Sequence, residues 1–107
     1  MTDLEYIAAN LSDEDILCQI AEEAAELAKA ALKLRRAITQ TNPTPVTVDE
    51  AVENIIEEYA DTIGAFKIWA AKCGGDGVRL VGYYLAEIID AKYARKVKQI
   101  KEGKKHD

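Results

Sequence analysis

The stretch over residues 12–38 reads SDEDILCQIAEEAAELAKAALKLRRAI. Its apolar residues recur every three or four positions, which at 100° per residue places them in one narrow stripe along a helix. Ser12 followed by Asp15 is a capping-box pattern and predicts the start of the helix. The stripe consists of Ile16, Leu17, Ile20, Ala24, Leu27, Ala31, Leu34 and Ile38. The stretch therefore predicts one long amphipathic helix.

The segments on either side also read as helices. Residues 4–9 predict a short helix before the long one. Both prolines lie within residues 41–45 and break the chain there. Thr47 with Glu50 forms a second capping box, which opens a helix that runs to about Cys73.

A glycine-rich break over residues 74–77 separates this helix from a third long one, expected over residues 78–103. The chain has 107 residues, 49% of them apolar and 31% charged, which suits one folded domain. The predicted fold class is all-α: a single domain over residues 1–107, with three long helices and a short N-terminal helix.

Several classes of protein are excluded by composition. No apolar run approaches the roughly 20 residues of a membrane span, and no secretory signal begins the chain, so we expect a cytoplasmic protein without a membrane partner. Cys18 and Cys73 stand alone, and His106 is the one histidine, which excludes zinc sites and disulfide frameworks.

The charge is unevenly distributed. Residues 1–61 contain fourteen acidic and four basic residues, a net charge of −10, whereas residues 62–107 contain five acidic and ten basic residues, a net charge of +5. The whole chain carries −5, which disfavours a general binder of the phosphate backbone. We therefore expect no stable nucleic-acid complex.

The second long helix is apolar over most of its circumference, a pattern typical of a helix packed between others. Two neighbours from its own chain would not readily cover that surface. A homo-dimer or homo-tetramer that pairs these central helices across a two-fold axis is therefore expected to complete the bundle.

Two pairs of carboxylates lie where apolar neighbours are expected. Glu23 borders the first helix's apolar stripe and projects beside Glu26, and Glu58 and Asp61 repeat the spacing of three residues on the second helix. Like charges directed at a packed surface need a counter-charge, and a divalent cation would supply it. All-oxygen ligands favour Mg²⁺, with Mn²⁺ as a substitute. A purely solvated acidic face is the alternative interpretation.

The arrangement of EExxE (Glu22, Glu23, Glu26) and ExxD (Glu58, Asp61) on successive helices resembles the motif of the MazG-like all-α nucleoside triphosphate pyrophosphohydrolases. The resemblance covers roughly residues 14–70. It implies that Glu23, Glu26, Glu58 and Asp61 bind Mg²⁺, and that Glu22 helps to orient or deprotonate the attacking water.

The predicted function is accordingly Mg²⁺-dependent hydrolysis of an NTP or dNTP to the monophosphate and pyrophosphate. The basic residues Lys92, Arg95 and Lys96 of the last helix are candidates to bind the β- and γ-phosphates. A solvated basic helix end is their alternative interpretation. For the whole protein, the alternative is a non-catalytic helical interaction module whose acidic patch docks a basic partner.

Overall fold

The computed structural model describes residues 1–40, 46–73 and 77–103, and for residues 77–81 it describes the backbone alone. It contains four helices: α1 (Asp3–Asn10), α2 (Asp13–Thr39), α3 (Val48–Lys72) and α4 (Gly77–Lys101). The described ranges contain no strand. The prediction of an all-α chain with three long helices and one short one is confirmed. The break predicted at residues 41–45 lies outside the described residues, as do residues 74–76 of the break predicted at 74–77, whereas Gly77 is the first residue of α4.

Both predicted N-caps are present. The Ser12 hydroxyl accepts a hydrogen bond from the Asp15 backbone N–H at 3.1 Å. The Thr47 hydroxyl accepts from the Glu50 N–H at 3.1 Å, and the Glu50 carboxylate accepts from the Thr47 N–H at 3.3 Å, which completes a capping box. Such caps satisfy backbone donors that the first turn leaves unpaired and stabilise a helix by about 1 kcal/mol each.

Helices α2 and α3 pack side by side and hold most of the core. They run antiparallel, because Lys72 at the end of α3 lies beside Asp13 at the start of α2. Ile16 is the one fully buried large side chain of the described residues, and the other buried apolar residues are alanines, which let the helices approach closely. These alanines are Ala8, Ala30, Ala37, Ala51, Ala65 and Ala70.

The short helix α1 is tied to the C-terminal end of α3 by Lys72. The Lys72 ammonium donates to the backbone carbonyls of Leu11 and Ala8 and lies 4.0 Å from the Asp13 carboxylate. Carbonyls at the end of a helix lack partners within the helix, so a lysine at this position satisfies them and fixes the turn into α2.

Within the described residues, α3 packs against α1, α2 and α4, while α4 packs against α3 alone. The prediction that α3 is the central helix is therefore confirmed. The radius of gyration is 17.5 Å, compared with about 13 Å for a compact domain of this length. A single chain is thus an open arrangement, and much of the apolar surface of α2, α3 and α4 is exposed. None of the helices, as far as they are described, is both long and apolar enough to cross a membrane.

Candidate metal centre

Three carboxylates from two helices converge at the middle of the α2–α3 pair. Glu23 on α2 and Glu58 and Asp61 on α3 each contribute one oxygen, and these oxygens lie within 4.8 Å of one another. Glu23 and Glu58 are half-buried, and Asp61 is exposed. We call these three residues the acidic cluster. It is held by long helices on both sides, which suits a preorganised site.

Thr62 fixes the two helices at the level of the acidic cluster. Its hydroxyl lies 2.8 Å from the Glu58 carbonyl oxygen and 3.2 Å from the Glu23 carbonyl oxygen, so it donates its proton between the two helix backbones. Sequence reasoning missed this role. The sequence signal for this hydrogen bond is a threonine four positions after Glu58, on a side of the helix whose other residues are mostly apolar.

The surroundings of Glu58 disfavour the charged form of its side chain. Partial burial raises the pKa of Glu58 above its usual 4.5, and the charges of Asp61, Glu23, Glu26 and Glu57 raise it further, in that order. None of the three cluster carboxylates has an ion-pair partner among the described residues. The cluster is therefore a concentration of negative charge that no basic side chain in the described ranges pairs with.

This raised pKa predicts a pH dependence of stability in the absence of metal. A carboxyl group with a folded-state pKa above its unfolded value costs stability at neutral pH, and the cost disappears as the pH falls below the unfolded value. In EDTA, the Glu58→Gln variant should be more stable than the unmodified protein at pH 7, and the difference should close as the pH approaches about 4.5. Urea titrations of both proteins across this pH range measure the difference between their free energies of unfolding. A difference that does not change with pH would contradict the prediction.

The other predicted site residues lie near the acidic cluster or apart from it. Glu26 falls outside the three-oxygen group and forms an ion pair with Lys29 at 3.4 Å, although its charge still acts on Glu58. Glu22 is exposed beside Glu23. The structure thus places three of the four predicted ligands together and gives the fourth a different partner.

The predicted phosphate-binding residues occupy a separate surface. Lys92, Arg95 and Lys96 line a shallow groove of about 300 Å³ on α4, together with Gln99. Because α4 packs against α3 and not against α2 in the described chain, this groove is not joined to the acidic cluster within one copy.

The geometry suits a small, hard cation. Carboxylate oxygens are the ligands that Mg²⁺ prefers, at about 2.0–2.1 Å, so oxygens that share one ion lie within roughly 4.2 Å of one another. The oxygens of the acidic cluster lie within 4.8 Å of one another, which is close to that limit. Two of the carboxylates are half-buried and the third is exposed, so one side of the cluster is open to solvent.

Comparisons with protein-family models, with curated proteins and with solved structures found no match for this chain.

Proposed function

We propose that this chain is a Mg²⁺-dependent nucleoside triphosphate pyrophosphohydrolase. The observation that supports the proposal best is the convergence of Glu23, Glu58 and Asp61 within 4.8 Å, with no basic side chain paired to them in the described part of the chain. These residues come from the two halves of the EExxE and ExxD motif. A substrate that arrives as a magnesium complex would supply the missing positive charge.

In this proposal the acidic residues serve either as metal ligands or as the general base. Glu23, Glu58 and Asp61 hold the metal, and Glu26 joins them when its carboxylate leaves Lys29, with which it forms an exposed and therefore weak ion pair. Bound Mg²⁺ would neutralise the phosphates and lower the pKa of a coordinated water. Glu22 then accepts the proton of the attacking water as the general base.

In the same proposal, residues of α4 bind the phosphates of the substrate. Lys92, Arg95 and Lys96 share one groove, and three cations in one groove suit the β- and γ-phosphates of a nucleotide. The described residues of α4 do not contact α2 within one copy. This role therefore requires the groove to approach the acidic cluster when substrate binds, or requires the groove of another copy.

The products distinguish this reaction from other hydrolyses of a triphosphate. Attack of water on the α-phosphorus breaks the α–β phosphoanhydride bond and releases a monophosphate and pyrophosphate. In ¹⁸O-labelled water we therefore expect the label in the monophosphate, which mass spectrometry of the products measures. Orthophosphate as the primary product, or label in the pyrophosphate alone, would mean that another phosphorus is attacked.

The exposed position of Asp61 favours one competing function, an acidic patch that docks a basic protein surface without catalysis. The two functions differ in their response to ions. A metal centre binds Mg²⁺ saturably and is stabilised by it, whereas a docking patch shows only weak effects that salt screens.

A further inference from the structure

The seam between α2 and α3 repeats with the regularity of a coiled coil. Its positions are buried or half-buried, and their spacing alternates between four and three residues. On α2 the seam consists of Ile16, Ile20, Glu23, Leu27, Ala30, Leu34 and Ala37. On α3 it consists of Ala51, Ile55, Glu58, Thr62, Ala65 and Trp69. Three members of this seam are polar, namely Glu23, Glu58 and Thr62, and two of these belong to the acidic cluster.

Two contacts show the register in which the helices meet at this seam. The Thr62 hydroxyl lies 3.2 Å from the Glu23 carbonyl oxygen, and the Lys72 ammonium lies 4.0 Å from the Asp13 carboxylate. Both contacts fit one antiparallel register, because Asp13 to Glu23 and Thr62 to Lys72 are equal separations. Lys72 is a long side chain and its partner is mostly exposed, whereas Thr62 is short and half-buried. The Thr62 bond therefore defines the register more narrowly than the ion pair does.

Local helix geometry explains only one of the two bonds that Thr62 makes. A threonine inside a helix often donates its hydroxyl proton to the carbonyl four residues earlier, and the 2.8 Å bond to the Glu58 carbonyl is of that kind. The bond to the Glu23 carbonyl crosses to the other helix. Both acceptors belong to residues whose side chains form the acidic cluster. One hydroxyl thus joins the backbones of the two residues that supply the half-buried carboxylates.

The rest of the seam constrains sliding of the two helices less strongly. Its fully buried positions are mostly alanines, such as Ala30, Ala51 and Ala65, and small side chains interlock little. A polar group at a core position of paired helices specifies their register at a cost in stability. Without the hydroxyl of Thr62, the relative position of the Glu23 and Glu58 backbones would therefore vary more. Ions respond differently to such variation, because Mg²⁺ requires nearly ideal geometry whereas Ca²⁺ accepts longer and more variable distances.

We propose that Thr62 is a positioning residue of the metal centre, and that its hydroxyl determines how strongly the acidic cluster binds Mg²⁺ relative to the larger Ca²⁺. The hydroxyl holds the Glu23 and Glu58 backbones in one register, so that their carboxylates meet the same ion. Thr62 acts through these two residues and touches neither the ion nor the substrate. This inference rests on the proposed function, because it takes the acidic cluster to be the Mg²⁺ site.

The test measures the dissociation constants of MgCl₂ and of CaCl₂ by isothermal titration calorimetry on the folded full chain. Thr62→Val keeps the shape of the side chain and removes the hydroxyl, and it should raise the Kd for Mg²⁺ by about 10-fold or more, as loss of an outer-shell partner does. The Kd for Ca²⁺ should rise by a smaller factor. Thr62→Ser keeps the hydroxyl and should bind both ions like the unmodified chain. Thr39→Val is the matched control, because the Thr39 hydroxyl donates to the Arg35 carbonyl near the end of α2, far from the acidic cluster.

Thr62→Ala keeps the test decisive if Thr62→Val fails to fold, because alanine already occupies neighbouring seam positions and also lacks the hydroxyl. An unchanged Kd for Mg²⁺ in the variants without the hydroxyl would overturn the inference, and so would equal losses for Mg²⁺ and Ca²⁺ or a Thr62→Ser variant as weak as Thr62→Val. Failure of the proposed function gives a different result. Mg²⁺ binding that depends on Thr62 without any hydrolysis of triphosphates would contradict the hydrolysis alone, whereas no Mg²⁺ binding by the unmodified chain would overturn both.

Discussion

Replacement of Glu58 by Gln is expected to reduce Mg²⁺-dependent hydrolysis of the triphosphate by at least about 100-fold, since even outer-shell partners of a metal cost roughly 10- to 100-fold when removed. Glu58 is the half-buried member of the acidic cluster on α3, and its charge is opposed by Asp61, Glu23, Glu26 and Glu57. An amide keeps the shape of the side chain and removes the negative charge that a cation needs. The helical fold should therefore survive while turnover is lost.

Steady-state release of pyrophosphate measures this effect, with circular dichroism to check the fold. Glu57→Gln is the matched control: it makes the same change one residue earlier, at an exposed position outside the acidic cluster. Glu23→Gln and Asp61→Asn should behave like Glu58→Gln. Near-native turnover in Glu58→Gln, or an equal loss in Glu57→Gln, would show that the acidic cluster is not the catalytic metal site.

The helices were predictable from sequence because their local signals agree with their packing. The periodicity of α2, the caps at Ser12 and Thr47 and the apolar character of most of the circumference of α3 all describe interactions within a few residues of each other. Each predicted helix boundary lies within two residues of the boundary in the structure. The packing partners were less predictable. The apolar stripe of α2 appears continuous in sequence, but α3 covers only the side with Ile16 and Ala30 and leaves Leu17 and Ile38 exposed.

The acidic cluster was predictable in part for a similar reason. A spacing of three residues places Glu58 and Asp61 together on one helix, but only the register between helices decides which α2 carboxylate meets them. The Thr62 hydroxyl, bridging the Glu58 and Glu23 carbonyls, marks that register. It brings Glu23 into the acidic cluster, while Glu26 pairs with Lys29, three residues further along its own helix. Sequence spacing alone could not separate these two glutamates.

Binding of Mg²⁺ is expected to stabilise the protein strongly, and through the acidic cluster. A ligand at 100 times its dissociation constant stabilises the folded state by about 2.7 kcal/mol, which corresponds to a rise on the order of 10 °C in Tm for a domain of this size. Glu58→Gln removes a ligand and also relieves the partial desolvation and the repulsion that raise the pKa of Glu58. The variant should therefore melt higher than the unmodified protein in EDTA at pH 7, and gain little when Mg²⁺ is added.

Thermal melts in EDTA and in millimolar Mg²⁺, at one fixed protein concentration, test the claim that the acidic cluster is a metal centre most directly. Glu87→Gln on α4 serves as the control, because it removes one exposed carboxylate far along the chain from the cluster. We expect the Tm of the unmodified protein and of Glu87→Gln to rise saturably with the Mg²⁺ concentration. The Tm of Glu58→Gln should be higher than theirs in EDTA and should stay nearly constant when Mg²⁺ is added. Parallel responses of all three proteins to Mg²⁺ would contradict a metal centre at Glu23, Glu58 and Asp61.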